Sequence, residues 1–91
     1  MFTSPLKSDL RMTAVIPLAM LREKCAAVIV EVDGGMGLTR RLAEMGFTNG
    51  TKVEVLHSTP PGPIVVMVRG ARIALGRGLA MKIMVEPLEA A

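Results

Sequence analysis

One stretch near the middle of the chain predicts a short helix, a glycine stop, a tight turn and a strand, in that order. Three apolar residues recur at i, i+4 and i+7 and therefore share one helical face: Leu38, Leu42 and Met45. Gly46 follows this face directly. A helix that ends there needs a left-handed residue, which only glycine supplies without a Cβ penalty. Asn49 and Gly50 both tolerate positive φ and so favour a turn. We therefore expect a helix of about Leu38 to Met45 that ends at Gly46 and a turn at Gly50.

The rest of the chain predicts short strands separated by glycine and proline. The predicted strands are Ala26 to Asp33, Lys52 to Ser58, Ile64 to Val68, Arg72 to Leu75 and Met81 to Val85. Gly70 makes the turn between the third and fourth strands. The proline loop, defined as Thr59 to Pro63, must be a connection because proline cannot donate to a ladder. About five strands with one short helix after the first predict a mainly β fold. Short strands favour a closed barrel, since closure removes exposed edges.

Alternation along each strand predicts which side chains face the core. In the first strand we expect the valines to point inward, so that the opposite face carries Ile29, Glu31 and Asp33. In the second strand Val53 and Val55 are expected inward, and His57 shares their face at the strand end. The strand from Ile64 to Val68 is rich in β-branched residues and is expected to be buried on both faces.

The length of 91 residues predicts one domain, and 51% hydrophobic residues are enough for a small core. We expect residues 1–14 to be a flexible tail, residues 15–88 the domain and residues 89–91 a second tail, with Met1 and Met12 both candidates for the native start. The single cysteine, Cys25, cannot form an internal disulfide and is expected to be a small buried residue in a reducing compartment. No apolar run reaches the ~18 residues that a membrane-spanning helix needs.

The polar residues do not form a pattern that predicts catalysis or tight metal binding. The single histidine, His57, lies on a different segment from Cys25 and is expected at the barrel rim. Glu31 and Asp33 are weak candidate ligands for a divalent metal, whereas a transition-metal site needs three or four clustered ligands. Five arginines are candidates for a basic patch: Arg40, Arg41, Arg69, Arg72 and Arg77. Without Trp or Tyr to stack bases, we expect them to face solvent or an acidic protein and not nucleic acid.

The stretch from Arg40 to Thr51 reads Arg-Arg-Leu-x-x-Met-Gly-Phe-x-x-Gly-Thr and resembles the signature of the ferrous iron transport protein A (FeoA) family. Three later segments agree with it in order and spacing: Pro60 to Ile64, Val68 to Leu75 and Ala80 to Val85. The resemblance runs from about Leu18 to Val85. It implies an SH3-like barrel and a non-enzymatic, cytoplasmic accessory of ferrous iron uptake that requires no cofactor. The implied partner is FeoB, a membrane transporter with a cytosolic GTP-binding domain, and the resemblance allows weak divalent metal binding.

Two other functions stay open. The chain also resembles the SH3-like C-terminal domain of iron-dependent repressors, which would make it a stand-alone regulatory domain. A small nucleic-acid-binding barrel is the third reading, and the scarcity of aromatic residues disfavours it.

The predicted working surface is the apolar outer face of the sheet. If the valines face inward, the outward apolar residues are Ile29, Leu56, Met67 and Met84. Leu56 is followed by the proline loop, in which Pro60 and Pro61 restrict the chain and present the leucine without a large ordering cost. Arg40 and Arg41 on the helix supply positive charge toward an acidic partner. We expect this surface to contact the transporter or a second copy of the chain, without insertion into the membrane.

Overall fold

The structure is a computed structural model and describes residues 14–88. The expectations about a tail before residue 14 and after residue 88 lie outside the described residues. Six strands are present: β1 (Ile16–Pro17), β2 (Ala26–Val32), β3 (Lys52–Ser58), β4 (Ile64–Val68), β5 (Ala71–Leu75) and β6 (Ile83–Pro87). The helical segments are a 3-10 helix (Leu18–Met20), helix α1 (Met36–Glu44) and helix α2 (Arg77–Ala80). The strands form one sheet in the order β1-β6-β2-β3-β4-β5, and each neighbouring pair is antiparallel.

The mainly β architecture with one short helix after the first predicted strand is confirmed. β1 is an additional strand that pairs with β6 at the sheet edge. It is only two residues long, and its second residue, Pro17, has no N–H with which to extend a ladder. The helix begins two residues earlier than expected, at Met36, and its last residue is Glu44.

The core is one cluster of buried apolar side chains contributed by five of the strands, both α-helices, the 3-10 helix and two loop residues. The cluster consists of Leu18, Leu21, Ala27, Ile29, Leu42, Phe47, Val53, Val55, Ile64, Val66, Val68, Leu75, Ala80, Ile83 and Val85. Within residues 14–88, no polar or charged residue is buried. One face of a single sheet can surround one cluster only if the sheet curls, as in a barrel. Helix α2, which follows edge strand β5, lies against the 3-10 helix, which follows edge strand β1. This contact brings the two edges of the sheet toward each other.

Strand β2 faces the core with the opposite set of residues from the predicted one. Ile29 is 1% exposed and belongs to the core, whereas Val28 and Val30 are only half-buried. Both faces of the strand are apolar from Ala26 to Val30, so alternation in this part cannot choose between them, and the carboxylates of Glu31 and Asp33 on the Ile29 face favoured the wrong choice. A β-bulge adds a second change: Ile29 pairs with Val85 but Glu31 pairs with Met84, which leaves Val30 as the extra residue. The prediction that Ile29 faces outward was therefore wrong.

A second bulge reverses the facing of the end of β3. Val55 pairs with Val66 and His57 pairs with Val65, so that Leu56 is the extra residue. The side chain of His57 is therefore 64% exposed and does not share the face of Val55. The predicted common face of His57 with Val53 and Val55 was wrong, because alternation assumes an unbroken ladder.

Two further expectations about facing need correction. Strand β4 is buried on one face and half-buried on the other, since Val65 and Met67 alternate with three buried residues. Met45, expected on the inner helical face, is the C-cap of α1 and is 40% exposed. The helical face that reaches the core is shorter than predicted, with Leu42 as its buried residue.

Gly46 ends α1 as predicted, with φ +105°. The amide of Gly46 donates to the carbonyl of Ala43 at 3.0 Å, and that of Phe47 donates to the carbonyl of Leu42 at 2.9 Å. This pair of bonds is the Schellman motif, which satisfies helix carbonyls through a left-handed residue. The other two glycines predicted in turns also have positive φ: Gly50 at +90° and Gly70 at +80°. Gly46 thus stops the helix where Phe47 can enter the core.

Candidate functional site

The outer face of the β3–β4 hairpin combines apolar and charged side chains. Met67 lies between two cross-strand neighbours, Glu54 on β3 and Arg72 on β5. Met67 is half-buried. A cleft of about 240 Å³ opens beside it and is lined by Lys52, Glu54, Met67, Arg69 and Gly70. The face therefore offers a methionine with three basic residues and one carboxylate around it.

Leu56 lies farther along β3, at the bulge. It is half-buried, so it is neither part of the core nor fully exposed. The bulge makes it the unpaired residue of the strand, and bulges typically re-aim a side chain at a sheet edge or a working surface. Leu56 and Met67 are on neighbouring strands, and the proline loop connects these strands beyond Leu56.

The proline loop is held in place by Arg77. Its Nε–H donates to the carbonyl of Gly62 at 2.9 Å, and its Nη2 donates to Ser58 Oγ at 2.9 Å. Arg77 was expected to face solvent or a partner. It is instead partly buried, because both ends of the loop carry acceptors that match the planar guanidinium fork. Pro60 and Pro61 remain exposed in the held loop.

The remaining predicted interface residues lie elsewhere. Arg40 and Arg41 are exposed on α1, which starts beyond the end of β2. The helix ends at Gly46, next to Val68 and Arg69, whereas Leu56 is near the opposite end of the hairpin. Met84 is on β6, and two strands separate it from β4. The structure therefore brings Leu56, Met67 and the proline loop onto one hairpin and leaves the helix arginines and Met84 on other parts of the surface.

Arg69 has a structural role that the sequence did not indicate. It occupies the first position of the β4–β5 turn with φ 50°, and Gly70 follows at 80°. This is the conformation of a type I′ turn, which favours Asn or Gly. A Cβ on Gly46 would lie 3.3 Å from Cδ of Arg69, so the arginine stem covers the end of α1. Its Nη2 lies 3.4 Å from Thr48 Oγ1.

The titratable residues at the barrel rim form a small pair. Nδ1 of His57 lies 3.5 Å from Oε2 of Glu23, with side chains 64% and 40% exposed. The same carboxylate oxygen accepts a hydrogen bond from the amide of Ser58 at 2.6 Å. This pair links the turn before β2 to the end of β3. Cys25, in that turn, is exposed. The expectation that Cys25 is buried was wrong, because the residue lies in the turn before β2 and is not one of the strand residues that face the core.

The predicted carboxylates do not gain further ligands from the fold. Glu31 and Asp33 are exposed. Within residues 14–88, no group of three or more His, Cys, Asp or Glu side chains is close enough to share a metal ion.

The most exposed large apolar residues are methionines that alternation did not identify. Met36 is 82% exposed, Met20 63% and Met81 47%. Met36 does not share the helical face of Leu38 and Leu42. Its exposure could have been predicted only if the helix had been expected to begin at Met36.

A second cleft, of about 320 Å³, lies between β2 and α1 and includes Glu31, Thr39 and Phe47 in its lining. In the part of the chain from 14 to 88, no helix is long and apolar enough to cross a membrane.

Comparisons with known proteins agree with this architecture. A model of the FeoA domain family matches residues 16–87. An Fe(2+) transport protein A of Methanocaldococcus jannaschii is 42% identical over 73 residues, which cover 80% of this chain and 88% of that protein. A crystal structure of an iron uptake regulatory protein, FeoA, has a TM-score of 0.78 and 39% identity, and the match covers 82% of this chain and all (100%) of that one.

Two further structures bear on the fold. The zinc complex of Stenotrophomonas maltophilia FeoA, described as a prokaryotic SH3 domain protein, has a TM-score of 0.67 and 30% identity over 76% of this chain and 87% of that one. A manganese-dependent transcriptional repressor has a TM-score of 0.72 and 24% identity over 81% of this chain and 42% of its own. That identity shows a shared fold alone. The SH3-like fold predicted from the resemblance is confirmed.

Proteins of the matched family are accessory factors of Fe(2+) transport and not enzymes. The chain belongs to the FeoA family.

Proposed function

We propose that this protein binds the cytosolic part of a FeoB-type transporter and thereby modulates ferrous iron uptake. Membership of an Fe(2+) transport accessory family carries this proposal. The GTP-binding domain of such a transporter lies in the cytosol, so we place the protein in the cytoplasm.

We assign the contact to the hairpin face, defined as Leu56, Met67, Pro60 and Pro61. Leu56 and Met67 are half-buried apolar side chains on adjacent strands. Methionine repacks easily against a partner. The loop beside Leu56 is already held by two hydrogen bonds from Arg77, so little ordering cost is added on binding. Arg40 and Arg41, at the other end of the hairpin, act through long-range attraction and not in the same contact.

Leu56→Asp tests this surface. We expect weaker binding to the transporter's cytosolic domain in a pull-down, because a charge would have to be buried in an apolar contact. Stability should fall by about 1 kcal/mol or less, since Leu56 is outside the core. Met36→Asp is the control: it also replaces an apolar side chain by a charge, but on α1, at a residue that is 82% exposed.

Met36→Asp should melt and bind like the wild type. If Leu56→Asp unfolds the protein, Leu56 is a core residue and the assignment fails. If it melts normally and binds normally, the hairpin face is not the contact. A sizing column on the same samples reports whether Leu56 instead joins copies of the chain.

We propose further that the protein needs no resident metal and binds Fe(2+) only weakly. The residues from 14 to 88 provide no cluster of three candidate ligands, and tight transition-metal sites use three or four. Anaerobic titration calorimetry should detect, at most, a weak site that Glu31→Gln together with Asp33→Asn removes. A stoichiometric, submicromolar site that survives dialysis would contradict this.

A second candidate is a regulatory domain related to those of metal-dependent repressors. The shared fold with a manganese-dependent repressor is the observation in its favour. In this case the partner would be a DNA-binding protein. Capture of such a protein together with loss of transporter binding would favour it over the first proposal.

A further inference from the structure

Acidic residues are missing from a long continuous part of the chain. No Asp or Glu occurs between Glu54 and Glu86. The same segment contains four basic residues: Arg69, Arg72, Arg77 and Lys82. Its formal charge is therefore +4, whereas the whole chain has +3 and the remainder, with 7 basic and 8 acidic residues, has −1. The net positive charge of this protein thus comes from the segment between Glu54 and Glu86, which contains β4, β5 and α2.

Strand β5 lies in this basic segment and at the edge of the sheet. It pairs with β4 on one side, and among the described residues no strand lies on its other side. Of the turn and loop hydrogen bonds formed by residues 14–88, none involves the backbone of β5. Ala71, Arg72 and Ala74 are exposed. β5 therefore has an open hydrogen-bonding edge.

The turn geometry identifies the backbone groups on this edge. The two turn residues, Arg69 and Gly70, join Val68 to Ala71. A two-residue turn of this type closes on a hydrogen-bonded pair, and bonded pairs alternate with non-bonded pairs along an antiparallel ladder. Residues 71, 73 and 75 therefore bond to β4, while Arg72 and Ala74 direct their N–H and C=O groups away from it. These groups match the spacing of a further strand.

We propose that the free edge of β5 accepts an extended acidic segment of a partner protein as an additional strand. The backbone groups of Arg72 and Ala74 supply the hydrogen bonds, as in strand addition to other sheet edges. The side chains of Arg69 and Arg72 supply charge attraction, and Ala74 is small enough to allow close approach. This edge adjoins the hairpin face, since Arg72 is the cross-strand neighbour of Met67, but it binds through its backbone groups. The inference holds whether or not the partner is the transporter.

The composition of the edge favours protein over nucleic acid. Bases need aromatic platforms, and the aromatic residue in the described part of the chain, Phe47, is 1% exposed. Arginines on an edge also serve to prevent aggregation. If the arginines served only to prevent aggregation, no peptide would bind to the edge. A binding experiment therefore distinguishes this role from the proposed one.

The probe is a synthetic peptide of about eight residues, the length of a natural strand, in which Glu and Val alternate. Amide hydrogen exchange of the full chain is followed by NMR with and without this peptide. We expect the amides of Arg72 and Ala74 to gain protection of tenfold or more, while those of Ile73 and Leu75, already bonded to β4, change little. A Lys–Val peptide of the same length should not bind.

Ala74→Pro removes one outward N–H, and proline is tolerated where a strand edge faces solvent. We expect at least tenfold weaker binding, whereas Ala74→Val, which keeps the N–H, should bind like the wild type. The Arg72→Glu variant should bind the Lys–Val peptide more tightly than the Glu–Val peptide. Because the wild-type exchange pattern is informative alone, the test stands even if Ala74→Pro fails to fold.

Four results of the binding experiments would overturn the proposal: no binding of the Glu–Val peptide, protection at other amides, full binding by Ala74→Pro, or tighter binding of single-stranded DNA at the same amides. Protection of Arg72 and Ala74 before any peptide is added would also overturn it, since residues 1–13 or a second copy would then occupy the edge. A negative pull-down with the transporter would leave this proposal intact.

Discussion

Replacing Phe47 with alanine is expected to lower the free energy of unfolding by about 3–5 kcal/mol, the usual cost of removing a buried aromatic ring. Phe47 is 1% exposed and is the largest side chain in the core. It follows Gly46 directly, and its amide bonds to the carbonyl of Leu42. The ring therefore anchors the end of α1 to the barrel. For a chain of this size such a loss approaches the whole stability of the fold.

Urea unfolding followed by circular dichroism measures this change, since the chain has no Trp or Tyr to report by fluorescence. Met36→Ala is the control, because Met36 is 82% exposed and should change stability by about 0.5 kcal/mol or less. Phe47→Leu should fall between the two. If Phe47→Ala were as stable as Met36→Ala, the ring would not hold the helix to the core.

Gly46→Val is expected to lower the free energy of unfolding by about 2 kcal/mol or more. The residue has φ +105°, which is strained for any side chain and most for a β-branched one. Its Cβ would also lie 3.3 Å from Cδ of Arg69 and 3.7 Å from Cγ2 of Val68. The melting temperature should fall by roughly 8–16 °C for a domain of this size.

Gly37→Ala is the matched control for this prediction. Gly37 lies inside α1, has no atom within 4 Å of an added Cβ, and does not have positive φ. Alanine there should stabilise the protein by about 0.5–1 kcal/mol, because glycine weakens a helix interior. A Gly46→Val protein that melts with the wild type would show that the helix end can rearrange.

The local signals predicted the elements of the fold well. Glycines at positions 46, 50 and 70 were expected in turns, and all three have positive φ. The helix and the predicted strands are present, because glycine or proline lies near the ends of these segments and favours a turn there. Of the candidate site, the position of Leu56 and Met67 on one hairpin followed from the sequence. The functional roles assigned to these residues stay predictions.

What alternation could not predict is the effect of the two bulges. Val30 and Leu56 each add one residue to a strand, and one added residue moves every later side chain to the other face. No glycine or proline marks either bulge, since Val30 and Leu56 are ordinary apolar residues. The facing of His57 was missed for this reason. The binding of Arg77 to the proline loop, across 15 and 19 residues of sequence, has no local signal either.

The sequence by itself determined where the chain turns, which segments form strands and to which family it belongs, since these depend on neighbouring residues and on motif spacing. The tertiary structure alone decided which face of β2 is buried, which arginine holds the proline loop and which strand has an open edge. These properties depend on pairing between segments far apart in the chain. β2 could have buried its valines, but its register against β6 placed Ile29 opposite Val85 in the core.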